Sequence, residues 1–283
     1  MALIWVLEAT PDVPSLASLY QQTECGAADD PCFVSGRQYN VLLPQGEGPF
    51  PAVLFFHGSN GTGAKIISSA HLALPILKRG YALIAPTALE IEYRNGPGTG
   101  WVWRAGQSDR DDYAFASAVL DDATSRFPID INKILTAGSS RGGSFAWYLA
   151  CANIDEHLRA FAPVMGTPVR GRPGPCATSG FAFDMFHTHG FQDTVIPFAG
   201  NGPFDNWPGY LGAVEVVDTM AHLAGCSDLD ITEQANQVLR RWSGCLTGAR
   251  VSVLGFEGGH VIPVGWAEMA IEWFDNLHQQ KGW

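Results

Sequence analysis

The pentapeptide Gly138-Ser139-Ser140-Arg141-Gly142 is the strongest chemical signal in the chain. It follows an apolar run, Lys133–Ala137, and precedes a small-residue, helix-like run, Gly143–Asn153. A tight turn between strand and helix holds a serine hydroxyl exposed on a strained backbone, and glycines two residues either side avoid collisions there. Ser140 is therefore the candidate nucleophile. A serine hydroxyl is a weak nucleophile until a neighbouring base takes its proton, and that base must be oriented by an acid. Asp193 and then His260 follow Ser140 in the chain, each on a turn just past an expected strand. Glu257 is a weaker candidate acid, too close in sequence to His260 to reach behind its ring.

Acyl transfer also needs donors aimed at the developing oxyanion. The N–H of Arg141, directly after the nucleophile, is one candidate, and the N–H of Ser59 is the other. Ser59 lies in the loop Phe56-His57-Gly58-Ser59-Asn60-Gly61 after an early strand. His57 is a candidate for shaping that loop and for substrate contact; a role as general base is its alternative. Trp101, Trp103 and Trp207 are candidates for a substrate wall, on which an aromatic acyl group would stack. His187 and His189 share one face of a strand, and with His260 and Asp193 they invite comparison with a metal cluster. No further carboxylate or cysteine accompanies them, so no metal and no other cofactor is expected.

These residues need a scaffold that brings strand ends together. Short β-branched and aromatic runs occur at Tyr39–Leu43, Ala52–Phe56, Tyr81–Ala85, Lys133–Ala137, Ala160–Val164, Phe183–Thr188 and Val251–Phe256. Helical spacing appears over Lys65–Lys78, Asp111–Phe127 and Pro263–Gln279. This alternation predicts an α/β fold, a mostly parallel central sheet with helices on both faces. Glu92–Asp109 and Thr167–Gly180 resist the pattern and are expected as long loops near the site. The length of 283 residues would allow two domains. Convergence of Ser140, Asp193 and His260 at one sheet edge requires one, with residues 1–36 as an extension and 37–283 as catalytic core.

Composition narrows the function classes. Lys and Arg number 17 against 28 Asp and Glu, for a net charge of −11. That balance argues against nucleic acid as partner, and no run approaches the roughly 20 apolar residues that span a bilayer. An ester of small or oligomeric size is the expected partner; oligomeric state is left open. Six cysteines lack C-x-x-C spacing. Sequence neighbours suggest Cys25–Cys32, Cys151–Cys176 and Cys226–Cys245, with six buried thiols as the alternative. Disulfides imply an oxidising compartment, secreted or periplasmic. The apolar start Met1–Leu7 lacks a basic segment and is not a complete secretory signal.

The motifs resemble the polyhydroxybutyrate-depolymerase-like and feruloyl-esterase-like α/β-hydrolases. The resemblance rests on Leu54-Phe55-Phe56-His57-Gly58, Asp111-Asp112, Gly138-Ser139-Ser140-Arg141-Gly142-Gly143 and Ala162-Pro163-Val164. It continues through His189-Gly190 with Asp193 and Pro197, Gly225-Cys226, and Gly258-Gly259-His260 with Pro263. It implies Ser140 as nucleophile, Asp193 as acid, His260 as base, and the pairs Cys226–Cys245 and Cys151–Cys176. Arg141 departs from the family, where a small or amide residue is usual, and its side chain is placed to touch the acid part of a substrate. Val261-Ile262-Pro263 replaces a segment where a Trp is common. The expected activity is that of a secreted serine carboxylic-ester hydrolase on feruloyl, aryl or short-chain acyl esters. A polyhydroxyalkanoate oligomer depolymerase and a serine peptidase of the same fold are the alternatives, and a non-catalytic binding protein is the competing class.

Overall fold

The computed structural model describes residues 16–93, 96–103, 110–172, 183–203, 205 and 207–282. The amino-terminal half runs β1 (Tyr20–Gln21), β2 (Cys32–Val34), β3 (Arg37–Pro44), β4 (Phe50–Phe56), α1 (Gly63–Ile67), α2 (Ala70–Lys78) and β5 (Ala82–Pro86). A hairpin of β6 (Glu90–Tyr93) and β7 (Gly96–Thr99) follows, then α3 (Asp112–Arg126) and β8 (Ile129–Ser139). The rest comprises α4 (Arg141–Ala152), β9 (Ala160–Val164), β10 (Asp184–Gly190), α5 (Ala213–Leu223), β11 (Asp228–Gln234), β12 (Gln237–Ser243), β13 (Val251–Phe256) and α6 (Trp266–Lys281).

The central sheet has the order β1-β3-β5-β4-β8-β9-β10-β13-β12-β11, with β2 against β3. Its middle, from β5 to β13, is parallel throughout. Both flanks are antiparallel: β3 on β5, and β12 on β13. Consecutive residues of a strand face opposite sides of the sheet, and β4 shows what that does. Leu54 and Phe56 join one buried cluster with Phe115, Phe145, Trp147 and Val216 of α3, α4 and α5. Val53 and Phe55 join the other with Leu72 and Ile76 of α2 and Trp266 and Phe274 of α6. Helices thus cover both faces, as an all-apolar parallel strand requires.

The chain goes from β4 to β5 on one side and returns to β8 on the other side of β4. Strand order reverses there, and open α/β sheets bind ligands outside the carboxyl ends at such a reversal. Gly58-Ser59 leaves the end of β4 and Ser140 leaves the end of β8. The topology therefore sets the site before any side chain is considered.

Some sequence expectations need correction. The single helix expected over Lys65–Lys78 is two, because Ser69 takes an extended backbone and starts α2 afresh. Part of the loop expected over Glu92–Asp109 is instead the β6–β7 hairpin. Within residues 1–36, β1 and β2 are not appended to the core but pair antiparallel with β3. Disulfides join Cys25 to Cys32 and Cys226 to Cys245. Cys176 lies outside the described residues, and with it the expected Cys151–Cys176 pair.

Candidate active site

Ser140 stands between β8 and α4 at φ 55°, ψ −122°, a region that non-glycine residues rarely occupy. Its N–H donates to the Val164 carbonyl at 3.0 Å, and its carbonyl accepts from Ser144 N–H at 2.9 Å. Those two bonds anchor the strained residue to β9 and to the first turn of α4. The glycines of the motif are steric necessities. A Cβ on Gly138 would lie 2.9 Å from the Phe56 carbonyl oxygen and closer still to Gly142. One on Gly142 would lie 2.5 Å from the His57 carbonyl oxygen.

The structure brings Ser140, His260 and Asp193 into one hydrogen-bonded line. His260 Nε2 lies 2.8 Å from Ser140 Oγ, and His260 Nδ1 lies 2.7 Å from Asp193 Oδ2. Asp193 is the carboxylate behind the ring, whereas Glu257 is exposed and its N–H is held by the Asn236 carbonyl. The other Asp193 oxygen, Oδ1, accepts the Val195 and Ile196 N–H groups at 2.8 and 2.9 Å. Burial alone would raise the Asp193 carboxyl. Hydrogen bonds from His189, His260, Ile196 and Val195 outweigh it and hold the group below the usual carboxylate range.

Behind Asp193 lies an arrangement that sequence reasoning missed. Trp147 Nε1–H donates to His187 Nδ1 at 3.1 Å, and His187 Nε2 lies 3.0 Å from His189 Nδ1. His189 Nε2 meets the Ile196 carbonyl at 2.7 Å and Asp193 Oδ2 at 3.3 Å. An indole N–H can only donate. His187 Nδ1 is therefore an acceptor, its Nε2 carries the proton, and the same logic makes His189 Nε2 a donor toward Asp193. Burial also holds His187 neutral, well below its ordinary titration range. The H-x-H spacing signalled a shared face, but the partner Trp147 comes from α4, far away in sequence. Both rings spend their nitrogens on these bonds, and neither is directed at a metal.

The expected oxyanion donors flank Ser140. Arg141 N–H is the first of α4, and the first four N–H groups of a helix lack acceptors within it. Gly58 packs so closely that an added Cβ would sit 3.3 Å from Ser140 Cβ, which puts Ser59 at the same crevice. His57 is fully buried, which corrects its expected contact with substrate. Its Nε2 accepts the Ala88 N–H at 3.0 Å, so Nδ1 is the protonated nitrogen and donates to the Gly58 carbonyl at 2.7 Å. Burial lowers this imidazole to about 4 and keeps it neutral. His57 shapes the loop.

The tryptophans separate into two kinds. Trp101 is fully buried, stacks on Phe145 at 5.2 Å and donates its N–H to the His57 carbonyl at 2.9 Å. It braces the β4 loop from behind, so its expected place in a substrate wall is also corrected. Trp103 is 7% exposed and stacks on Tyr148 at 4.9 Å, with the Arg141 guanidinium 4.5 Å from its ring centre. Trp207 is half-buried against Tyr210, at 5.2 Å. Asp112 holds the segment bearing Trp101 and Trp103: it takes Arg37 and Arg110, each at 2.8 Å, and the Val102 N–H at 2.6 Å. In the sequence Asp112 stood out only as part of the Asp111-Asp112 motif of the family resemblance.

No family model matches the chain. Among curated proteins, it is 26% identical over 242 residues to feruloyl esterase C of Emericella nidulans, covering 80% of this chain and 77% of that one. The probable feruloyl esterase C of Aspergillus flavus is 24% identical over 282 residues, 92% of each protein. Among solved structures, the acetyl xylan esterase from Aspergillus awamori superimposes with a TM-score of 0.63 at 18% identity, covering 84% of this chain and 93% of that one. The chain therefore has the α/β-hydrolase fold, and its sequence is distantly similar to feruloyl esterase C over most of its length.

Proposed function

We propose that this chain, as a single catalytic domain, hydrolyses carboxylic esters through an acyl-enzyme on Ser140. The observation that carries the reading is the line Ser140 Oγ–His260–Asp193, at 2.8 and 2.7 Å, on a backbone that presents Ser140 at φ 55°. His260 Nε2 takes the hydroxyl proton as Oγ attacks the carbonyl, then returns it to the leaving alcohol. It next activates the water that releases the acid. Asp193 fixes Nδ1 as the protonated nitrogen and stabilises the imidazolium. The N–H groups of Ser59 and Arg141 bind the oxyanion; one such donor is worth about 2.7–4 kcal/mol in comparable sites.

Feruloyl, aryl and short-chain acyl esters are the proposed substrates. The names of the relatives support the first, and the half-buried rings of Tyr93, Trp207 and Tyr210 support an aromatic acyl group. A hydroxyalkanoate oligomer is the second reading, favoured by the exposed apolar residues Phe191, Val195, Val261 and Val264 beside Asp193 and His260. Two disulfides support a secreted or periplasmic setting. The test is kcat/KM across esters from acetyl to feruloyl, each beside its matched amide. Ester turnover that exceeds amide turnover throughout is expected; faster amide cleavage would make the protein a peptidase instead.

A further inference from the structure

The Arg141 guanidinium is a cation placed beside the nucleophile, and no acid among the described residues meets it. It packs against Trp103 at 4.5 Å and faces the Tyr93 ring at 5.6 Å, and its Nε–H donates to the Trp101 carbonyl at 2.8 Å. Among the described residues no carboxylate lies within ion-pair distance of it. The acid in its electrostatic surroundings, Asp112, is already taken by Arg37 and Arg110. Arg172 repeats the pattern, 5.7 Å over Trp207 and without a carboxylate partner among the described residues. Such pairing is scarce for no want of acids, since the chain carries 28 of them against 17 cations. A partly desolvated charge without a counter-ion is costly, and breaches of that kind concentrate at functional sites.

Strand order says which part of a substrate would meet it. Asp193 and His260 reach Ser140 from β10 and β13, on one side of β8. The leaving alcohol must sit there, because His260 protonates it. Arg141 extends to the other side, toward Trp101, Trp103 and the β6–β7 hairpin, where the acyl chain must run. Tyr210 lies close enough to both Arg141 and Asp193 to interact electrostatically with each, so the cation and the triad lie in one neighbourhood. With Nε held by Trp101, the two terminal amino groups of the guanidinium remain for a ligand, and an arginine fork of this kind matches a carboxylate.

We propose that Arg141 makes the acyl side of this site a carboxylate receptor, so that the preferred substrates are monoesters of dicarboxylic acids. This rests on the esterase reading and narrows its short-chain acyl class to acyl groups that end in a carboxylate. The test compares monoethyl glutarate with its neutral counterpart, ethyl 4-carbamoylbutanoate, which differs only in carrying a terminal amide. In the wild type, kcat/KM is expected to favour the anionic ester at least tenfold, and the preference should shrink as salt rises. Arg141→Met should bring the ratio to about one, and Arg141→Lys should keep part of it. The ratio is the readout, so a general loss of rate in either variant does not obscure it.

Binding of the same two esters to Ser140→Ala separates recognition from chemistry. A tenfold tighter anionic ester there, with neither ester cleaved by the wild type, would support the receptor and refute the esterase. A wild-type ratio near one, or a preference unchanged in Arg141→Met, would overturn the proposal and leave Arg141 as a packing residue. So would equal binding of both esters to Ser140→Ala.

Discussion

Asp193 Oδ2 meets two imidazoles, and the contrast between them explains much of the site. His260 approaches from the open flank at 2.7 Å, with its side chain 20% exposed, and its far nitrogen faces Ser140 Oγ. His189 approaches from the buried flank at 3.3 Å, and its far nitrogen faces His187. The residue type and the carboxylate oxygen are the same. What differs is the group beyond. A hydroxyl can give up its proton and receive it back, so His260 can cycle. The buried line starts at an indole that only donates, so the hydrogen-bond directions along His187 and His189 are fixed. On the proposed mechanism one flank moves protons, and the other holds the carboxylate still.

Substitutions on the two flanks should therefore differ in scale. His260→Ala should lower kcat by about 10⁵–10⁶, and Asp193→Asn by about 10⁴, in line with other serine hydrolase triads. Both are read from steady-state kinetics on an activated ester, with folding checked by circular dichroism. His189→Leu removes one donor from a buried carboxylate, a loss of about 1–3 kcal/mol. It should cost roughly tenfold to a hundredfold, mainly in kcat. Trp147→Phe keeps most of the ring packing but frees His187 to flip, so about tenfold or less is expected, again with KM little changed. A loss from His189→Leu as large as that from His260→Ala would break the contrast.

A separate effect falls on stability and leaves the two flanks unchanged. His57 titrates at about 4 when buried and near 6.5 in the unfolded chain. Between those values the unfolded state binds the extra proton, so stability present above pH 6.5 is lost as pH falls toward 4. The loss is at most roughly 3 kcal/mol. Urea unfolding at pH 7 and pH 4.5 should show a smaller acid loss in His57→Gln than in the wild type. Equal losses would mean that another group carries the acid sensitivity.

The parallel centre of the fold was legible because β4, β9, β13 and the second half of β8 are buried and read as apolar runs, while β10, buried along its length, carries Met185 and Phe186 among its polar residues. Ser140, Asp193 and His260 were legible because each sits on a turn at the end of such a run. The edge hairpin was not: every residue of β11 is exposed, so no alternation marks it. Trp101 and Trp103 looked equivalent as residues two apart on a polar segment. Their separation depends on Asp112 and Arg110 fixing that segment, which no local pattern encodes. The line from Trp147 to Asp193 joins α4 to β10, and only tertiary packing brings those elements together. Arg141 was visible as a departure from the family, but that no acid among the described residues pairs with it became apparent only in three dimensions.

The central claim is that Ser140 is a nucleophile activated by His260 and Asp193, and covalent labelling tests it most directly. Incubation with a fluorophosphonate, followed by intact and peptide mass spectrometry, should give one adduct, on the peptide that contains Ser140. Ser140→Ala should give none, and His260→Ala should label far more slowly than the wild type. An unlabelled wild type, or an adduct on another residue, would contradict the account.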